Sequence, residues 1–262
     1  MVIPVYDDNP TRNRPYVTWA LLAISVLAFL LSPVVRGPIL GDPSTAQLCR
    51  QQAYFLEYGA VPVELIRNQA LDYTVGAAAG EGQCFQAVPD YLKRPWLSAI
   101  TAVFVHGGWA HLLGNMLFLW VFGNNVEDRF GRLKFLLFYL GVGLLSTYAY
   151  ALTRPDATEP LVGASGAISG VLGAYLLLFP RARVIGLVSF LFFFPLRLPA
   201  WLVLGFYFAL QAFYAYGVGM AGGGGVAYLV HVVGFVLGVG VVLAAGRRLR
   251  PPPVPPAPRL AY

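Results

Sequence analysis

Charge is what this 262-residue sequence has least of: 11% of its residues are Asp, Glu, Lys or Arg and 58% are hydrophobic, whereas about a quarter of a soluble globular domain is charged. That shortage excludes a soluble fold and leaves a polytopic membrane protein, counted as one integral domain. Carboxylates are absent from the long apolar runs altogether, all 12 Asp and Glu lying outside them. With no internal repeat either, a transporter or channel, which normally carries intramembrane carboxylates, is disfavoured. Cysteine is nearly absent too. Cys49 and Cys84 share one polar stretch. In an oxidising compartment they pair, at roughly 3–4 kcal/mol by loop-closure arithmetic; otherwise they remain two thiols. The net charge of +6 does not point to nucleic acid, because the arginines lie between and after the apolar runs, where membrane topology is written. No cleavable signal peptide is evident, since Met1–Pro15 carries Asp7, Asp8, Arg12 and Arg14 and no small-residue cleavage site follows.

What is present in abundance is apolar sequence of spanning length. Tyr16 to Val35, Trp96 to Phe122, Leu133 to Leu152, Leu161 to Pro180, about Ala200 to Tyr216 and Val226 to Gly246 are six candidates, each near the ~20 residues that a bilayer core requires. Residues 1–15 form an N-terminal cytoplasmic segment, 16–246 the membrane domain and 247–262 a basic, proline-rich tail expected to be disordered. The segment 36–95 is too polar to span, but its apolar patches at Ala53–Leu56 and Val61–Ile66 suit short helices on the membrane surface. The second run is expected to end in a polar, basic turn over Gly123–Arg132, and the stretch 184–199 is an apolar lead-in with no assigned conformation. Gly222–Gly225 is read as a flexible loop. Arg12 and Arg14, then Arg129, Arg132 and Lys134, then Arg181 and Arg183, then the C-terminal arginines fall on one side of this scheme, while the short connections of the other side hold only Arg154. Both termini are therefore expected in the cytoplasm.

Histidines occur only three times, and His106, His111 and His231 all lie in or beside apolar runs. An ionisable group in hydrocarbon is a functional candidate by default. Ser165 precedes Arg181 by sixteen residues, His231 precedes Arg247 by sixteen, and His111 precedes Glu127 by sixteen. At 1.5 Å per residue the three side chains are expected at one depth, about 24 Å above the inner boundary. Gly166 and Gly170 on one run and Gly234 and Gly238 on another make small-xxx-small faces that let two backbones approach. Close contact there brings the Ser165 hydroxyl to the His231 imidazole. Acyl chemistry needs a nucleophile, a base and donors for an oxyanion. Ser165 and His231 supply the first two; the Ser165 backbone N–H, His111 and Asn115 supply the third, the last two sharing a helix face at i and i+4. No acid completes a triad, so a Ser-His dyad is expected. His106 and His111 are five apart with no Glu between them, unlike a zinc-protease motif, and no metal site is expected.

Four pieces in chain order resemble the rhomboid intramembrane serine proteases: His106-Gly107-Gly108-Trp109-Ala110-His111-Leu112-Leu113-Gly114-Asn115, Glu127-Asp128-Arg129-Phe130-Gly131, Gly163-Ala164-Ser165-Gly166, and His231-Val232-Val233-Gly234 with Gly238. The resemblance covers essentially all of Tyr16 to Gly246. It implies an all-α integral membrane fold, a six-transmembrane-helix rhomboid-like bundle whose long first external loop (about 36–95) is partly embedded in the membrane. It also implies that Ser165 is the nucleophile, His231 the general base, and His111 and Asn115 part of the oxyanion hole. His106, Gly163, Gly166, Gly234 and Gly238 are then structural, near-site residues, and the fifth helix with a capping loop acts as a substrate gate. The implied substrates are transmembrane segments of other proteins, cut near their outer ends without cofactor or metal, in a cell membrane of bacterial type with the site open to the outside. Two positions depart from the family pattern: Trp96-Leu97-Ser98 stands where many relatives have Trp-Arg, and Ser169 where some have an aromatic against the base histidine. The alternative function is that of a non-catalytic relative that binds transmembrane helices, a class that typically lacks the serine or the histidine.

Overall fold

The computed structural model describes residues 2–36, 44–71, 73–75, 86–88, 93–188, 194–220 and 228–246. In chain order these form β1 (Val2–Asp7), α1 (Tyr16–Leu31), α2 (Thr45–Tyr58), α3 (Pro62–Arg67), β2 (Tyr73–Val75), β3 (Gln86–Val88), α4 (Pro95–Thr101), α5 (Trp109–Phe130), α6 (Arg132–Thr153), α7 (Ser165–Leu178), β4 (Arg183–Val188), β5 (Phe194–Pro199), α8 (Ala200–Met220) and α9 (Tyr228–Ala245). Cys84, the Gly222–Gly225 loop and the proline-rich tail lie outside the described residues; the thiol of Cys49 is not free.

Among the described residues α6, α8 and α9 are long and apolar enough to cross a bilayer, the α4–α5 pair makes a fourth span if counted as one, and α1 and α7 are shorter apolar helices. Leu137, Leu145 and Leu152 stand exposed along α6, an outward face that hydrocarbon matches and water does not. The chain is an integral membrane helical bundle. α7 runs through its centre, packed against α5, α6, α8 and α9, with Val171, Leu172, Ala174 and Tyr175 fully buried.

Several boundaries differ from the sequence expectation, each for a local reason. Trp96–Phe122 is not one rod: α4 and α5 meet at an 81° bend, because His106-Gly107-Gly108 interrupts the helical ladder with polar and weakly helix-forming residues. Nor is Gly123–Arg132 a turn. α5 continues to Phe130 and the chain reverses at Gly131 alone, whose φ of +76° favours glycine. The polar residues there are helical because they have partners. The carboxylate of Glu127, 3% exposed, accepts from the backbone N–H groups of Val17 and Thr18 at 3.0 and 2.7 Å and from the Thr18 hydroxyl at 2.7 Å. It thereby satisfies the open N-terminus of α1, where Pro15 provides no side-chain cap. α1 itself stops at Leu31, short of Val35, before Pro33.

In the segment 184–199, whose conformation the sequence left unassigned, the described residues 184–188 and 194–199 are strands. β4 pairs antiparallel with β5 on one edge and with β1 on the other, so the N-terminal segment joins the bundle through a three-stranded sheet. Ala200 and Trp201 donate to the carbonyls of Ala182 and Pro180 at 2.8 and 3.0 Å, tying the start of α8 to the end of α7. Within the first loop, buried Glu64 meets Lys93 at 2.5 Å and accepts from Leu71 N–H at 2.9 Å. Burial pushes the Lys93 ammonium below its ordinary range. This pair holds the loop to α4, close to Trp96-Leu97-Ser98.

Candidate active site

The fourth apolar run was expected to be helical from Leu161 to Pro180, but α7 begins only at Ser165 and ends at Leu178. The four residues before it lie outside the helix. Leu161 exchanges backbone hydrogen bonds with Ala60 at 2.8 and 2.9 Å, and Gly163 N–H donates to Ala102 at 2.8 Å. Gly163 adopts φ +119°, a conformation that favours glycine, and a Cβ there would lie 2.7 Å from the His111 ring. The chain is thus released into helix at the serine itself. Ser165 stands at the N-terminus of α7, where the first backbone N–H groups have no intrahelical partner.

Glycines then bring α9 against α7. A Cβ on Gly234 would stand 2.2 Å from the Gly166 carbonyl oxygen, and one on Gly238 2.0 Å from that of Gly170. Gly173, which the sequence reading did not single out, meets the Phe235 carbonyl in the same way at 2.1 Å. Only hydrogen fits in this seam. Backbone approach at this distance carries Ser165 and His231 together, and His231 Nε2 lies 2.8 Å from Ser165 Oγ.

The partners of each ring decide its tautomer. His231 Nδ1 is 2.8 Å from Gln211 Oε1 on α8; an amide oxygen only accepts, so Nδ1 carries the proton and Nε2 is free to accept the serine hydroxyl proton. For His111 the opposite holds. Gly107 N–H donates to His111 Nδ1 at 3.3 Å, which leaves Nε2–H as the donor, turned toward Gly163. Asn115 is buried, and its Nδ2 has no hydrogen-bond partner among the described residues; it approaches the same glycine, 3.7 Å from where a Cβ would stand. Two side-chain donors therefore converge beside the serine, and that of Asn115 has no acceptor among the described residues. His106 sits behind them. Its Nδ1–H donates to the Phe104 carbonyl at 3.1 Å, and its ring packs edge-on against His111, 5.3 Å between centroids.

These groups face one cavity of about 850 Å³, lined by Ser165, His231, His111, Asn115, Gln211 and Tyr207 among others. His106 is not part of its wall. Among the described residues no three His, Cys, Asp or Glu side chains gather where they could hold a metal. Ser169 is fully buried and bonds to the Tyr207 hydroxyl at 3.0 Å, so the small side chain on α7 leaves room for an aromatic from α8. Gln211 and Tyr207 were missed in the sequence reading, which weighed histidines and carboxylates. The available signal was polarity: Gln211 is the sole amide or charged side chain in α8, and it shares a helix face with Tyr207 at i−4.

A bundle of apolar helices around a cavity that holds a hydrogen-bonded serine and histidine defines the class. The model of the Rhomboid domain matches residues 93–248, and the chain belongs to the rhomboid family. It is similar to the rhomboid protein YdcA of Bacillus subtilis, 34% identical over 123 residues that make up 47% of this chain and 54% of that one. It is also similar to the mitochondrial Rhomboid protein 1 of Saccharomyces cerevisiae, 34% identical over 57% of this chain and 42% of the yeast protein. The rhomboid protease GluP of Bacillus subtilis is 43% identical over 81 residues, 31% of this chain and 15% of that one. The match thus spans about half or less of these relatives.

Proposed function

We propose that the protein is an intramembrane serine endopeptidase that cleaves transmembrane segments of other membrane proteins through a Ser165–His231 dyad. The observation that carries this reading is the 2.8 Å contact between Ser165 Oγ and His231 Nε2, with Nδ1 already committed to Gln211. In the proposed cycle Ser165 Oγ attacks the scissile carbonyl while His231 Nε2 takes its proton. The resulting oxyanion is met by Asn115 Nδ2, His111 Nε2–H and the Ser165 backbone N–H, donors that need no reorganisation. Collapse of the adduct breaks the C–N bond, His231 returns the proton to the departing amine, and an acyl-enzyme remains on Ser165. Water, deprotonated by the same imidazole, releases the carboxylate product and restores the serine. All the groups required are side chains and backbone of this chain, so no cofactor is invoked.

A helical substrate hides its carbonyls in its own hydrogen bonds, so cleavage is expected at small or helix-breaking residues, where local unwinding costs least. The arginine distribution favours both termini in the cytoplasm and a cavity open to the outer side of a bacterial-type cell membrane. The test is cleavage of a single-pass model substrate co-reconstituted in liposomes. The wild type is expected to cut it, with Ser165→Ala and His231→Ala each slower by about 10³ or more. Wild-type protein that binds the segment without cutting it supports the non-catalytic reading instead.

A further inference from the structure

The dyad has a third partner. We propose that Gln211 is the positioning residue of the base: its carbonyl oxygen, brought from α8, fixes His231 in the Nδ1–H tautomer and turns Nε2 toward Ser165. This rests on Ser165 and His231 acting as proposed above.

An imidazole with both nitrogens unbonded samples two tautomers and a range of ring rotations, and only one combination can accept the serine proton. His231 is constrained on α9 by an edge-on contact with Tyr228, 6.3 Å between centroids. That contact sets no tautomer, because a ring face distinguishes neither nitrogen. Gln211 Oε1 at 2.8 Å does, since it accepts only from a protonated Nδ1. Among the described residues no carboxylate lines the cavity, and its ionisable walls besides His231 are His111 and Tyr207. The role that an aspartate fills in a triad is therefore left to a neutral amide, which orients the ring without adding a charge that hydrocarbon would penalise.

The position of Gln211 is itself fixed. One turn earlier, Tyr207 bonds to Ser169 on α7 at 3.0 Å, and Phe208 stacks on Phe235 of α9, 4.7 Å between centroids. One turn later, Tyr214 stacks on Tyr228 at 5.2 Å. Gln211 thus sits between contacts to both helices that supply the dyad. Its burden as an uncharged polar group in an apolar helix is offset by the hydrogen bond it makes.

The experiment is the rate at which a fluorophosphonate labels Ser165 in the purified full-length protein from pH 5 to 9, for wild type, Gln211→Leu and Gln211→Glu, with Ser165→Ala as the blank. Gln211→Leu removes the acceptor at similar size and is expected to label roughly 10–100-fold more slowly, a fraction of the roughly 10²–10⁴ that a positioned base contributes. Its melting temperature is expected to stay near that of the wild type. Gln211→Glu keeps the acceptor and adds charge. It is expected to retain labelling at high pH, with the rising limb of the profile moved to higher pH because a carboxylate favours the imidazolium. Wild-type rates and an unmoved limb in both variants overturn the proposal. If Gln211→Leu does not fold, the limb of Gln211→Glu decides alone, upward displacement supporting the role and an unmoved limb overturning it. A wild type labelled no faster than Ser165→Ala refutes the protease reading and leaves no base to position.

Discussion

Asn115 is buried with an amide nitrogen that bonds to nothing among the described residues. An orphaned buried donor costs about 1–3 kcal/mol, and that expense is understandable where an acceptor arrives only during reaction. Asn115→Ala is therefore expected to lower kcat by roughly 10²–10³ with little change in KM, and to leave the melting temperature unchanged or higher; steady-state cleavage and thermal unfolding in detergent check both. A fall in melting temperature with kcat intact would make Asn115 a packing residue. At this scale the site was readable wherever chemistry contrasted with lipid. Ser165, His231, His111 and Asn115 stood out as polar groups in apolar runs, and they meet at one cavity. Gln211 did not stand out, because an uncharged amide makes a weak contrast and its partner is twenty residues away on another helix. The tautomers of His111 and His231 were not readable at all, being set by Gly107 N–H and Gln211 Oε1.

The helices were legible by length and hydropathy, and α6, α8 and α9 start within about two residues of the expected positions. Breaks were less legible, because they depend on what lies alongside. The helical run to Phe130 exists since Glu127 has the open end of α1 to bond to, and α7 begins late because Leu161 pairs with Ala60. The α7–α9 seam makes a contrast that tests its own geometry. Gly238→Ala places a methyl 2.0 Å from a carbonyl oxygen, whereas Gly240 on the same helix has nothing within 4 Å. Gly238→Ala is expected to destabilise by about 1–3 kcal/mol or more, and Gly240→Ala to be neutral or stabilising by up to about 1 kcal/mol. Chemical or thermal unfolding of the two variants in one detergent reads the difference; equal effects would contradict so close an approach.

Across the whole molecule, the unexpected feature is the sheet that joins the first residues to the connection between α7 and α8. Its strands are short and could not be paired from sequence, since β1 and β4 lie far apart in the chain and strand register depends on the partner. Asp7 closes β1 against the bundle. It is 5% exposed and accepts from Tyr175 Oη at 2.5 Å and Asn125 Nδ2 at 2.9 Å. Burial, the largest influence, raises its carboxyl from 3.8 to about 6, against the lowering effect of the Tyr175 bond. The docked state therefore holds the proton more tightly than the undocked one. The stabilisation that follows is complete below about pH 4 and is lost as pH rises through about 6. Amide exchange over Ile3–Asp7, corrected for intrinsic rates, is expected to quicken between pH 5 and pH 7.5, and Asp7→Asn is expected to remove that dependence. Exchange that ignores pH in the wild type would contradict it.

Whether a serine inside this bundle is activated by a histidine from the neighbouring helix is read most directly by mapping a fluorophosphonate adduct on the full-length protein in a bilayer by mass spectrometry. One adduct is predicted, on Ser165, and it should fall to background in His231→Ala while that variant keeps its fold. An adduct on another residue, or one on Ser165 that forms equally fast without His231, would contradict the dyad.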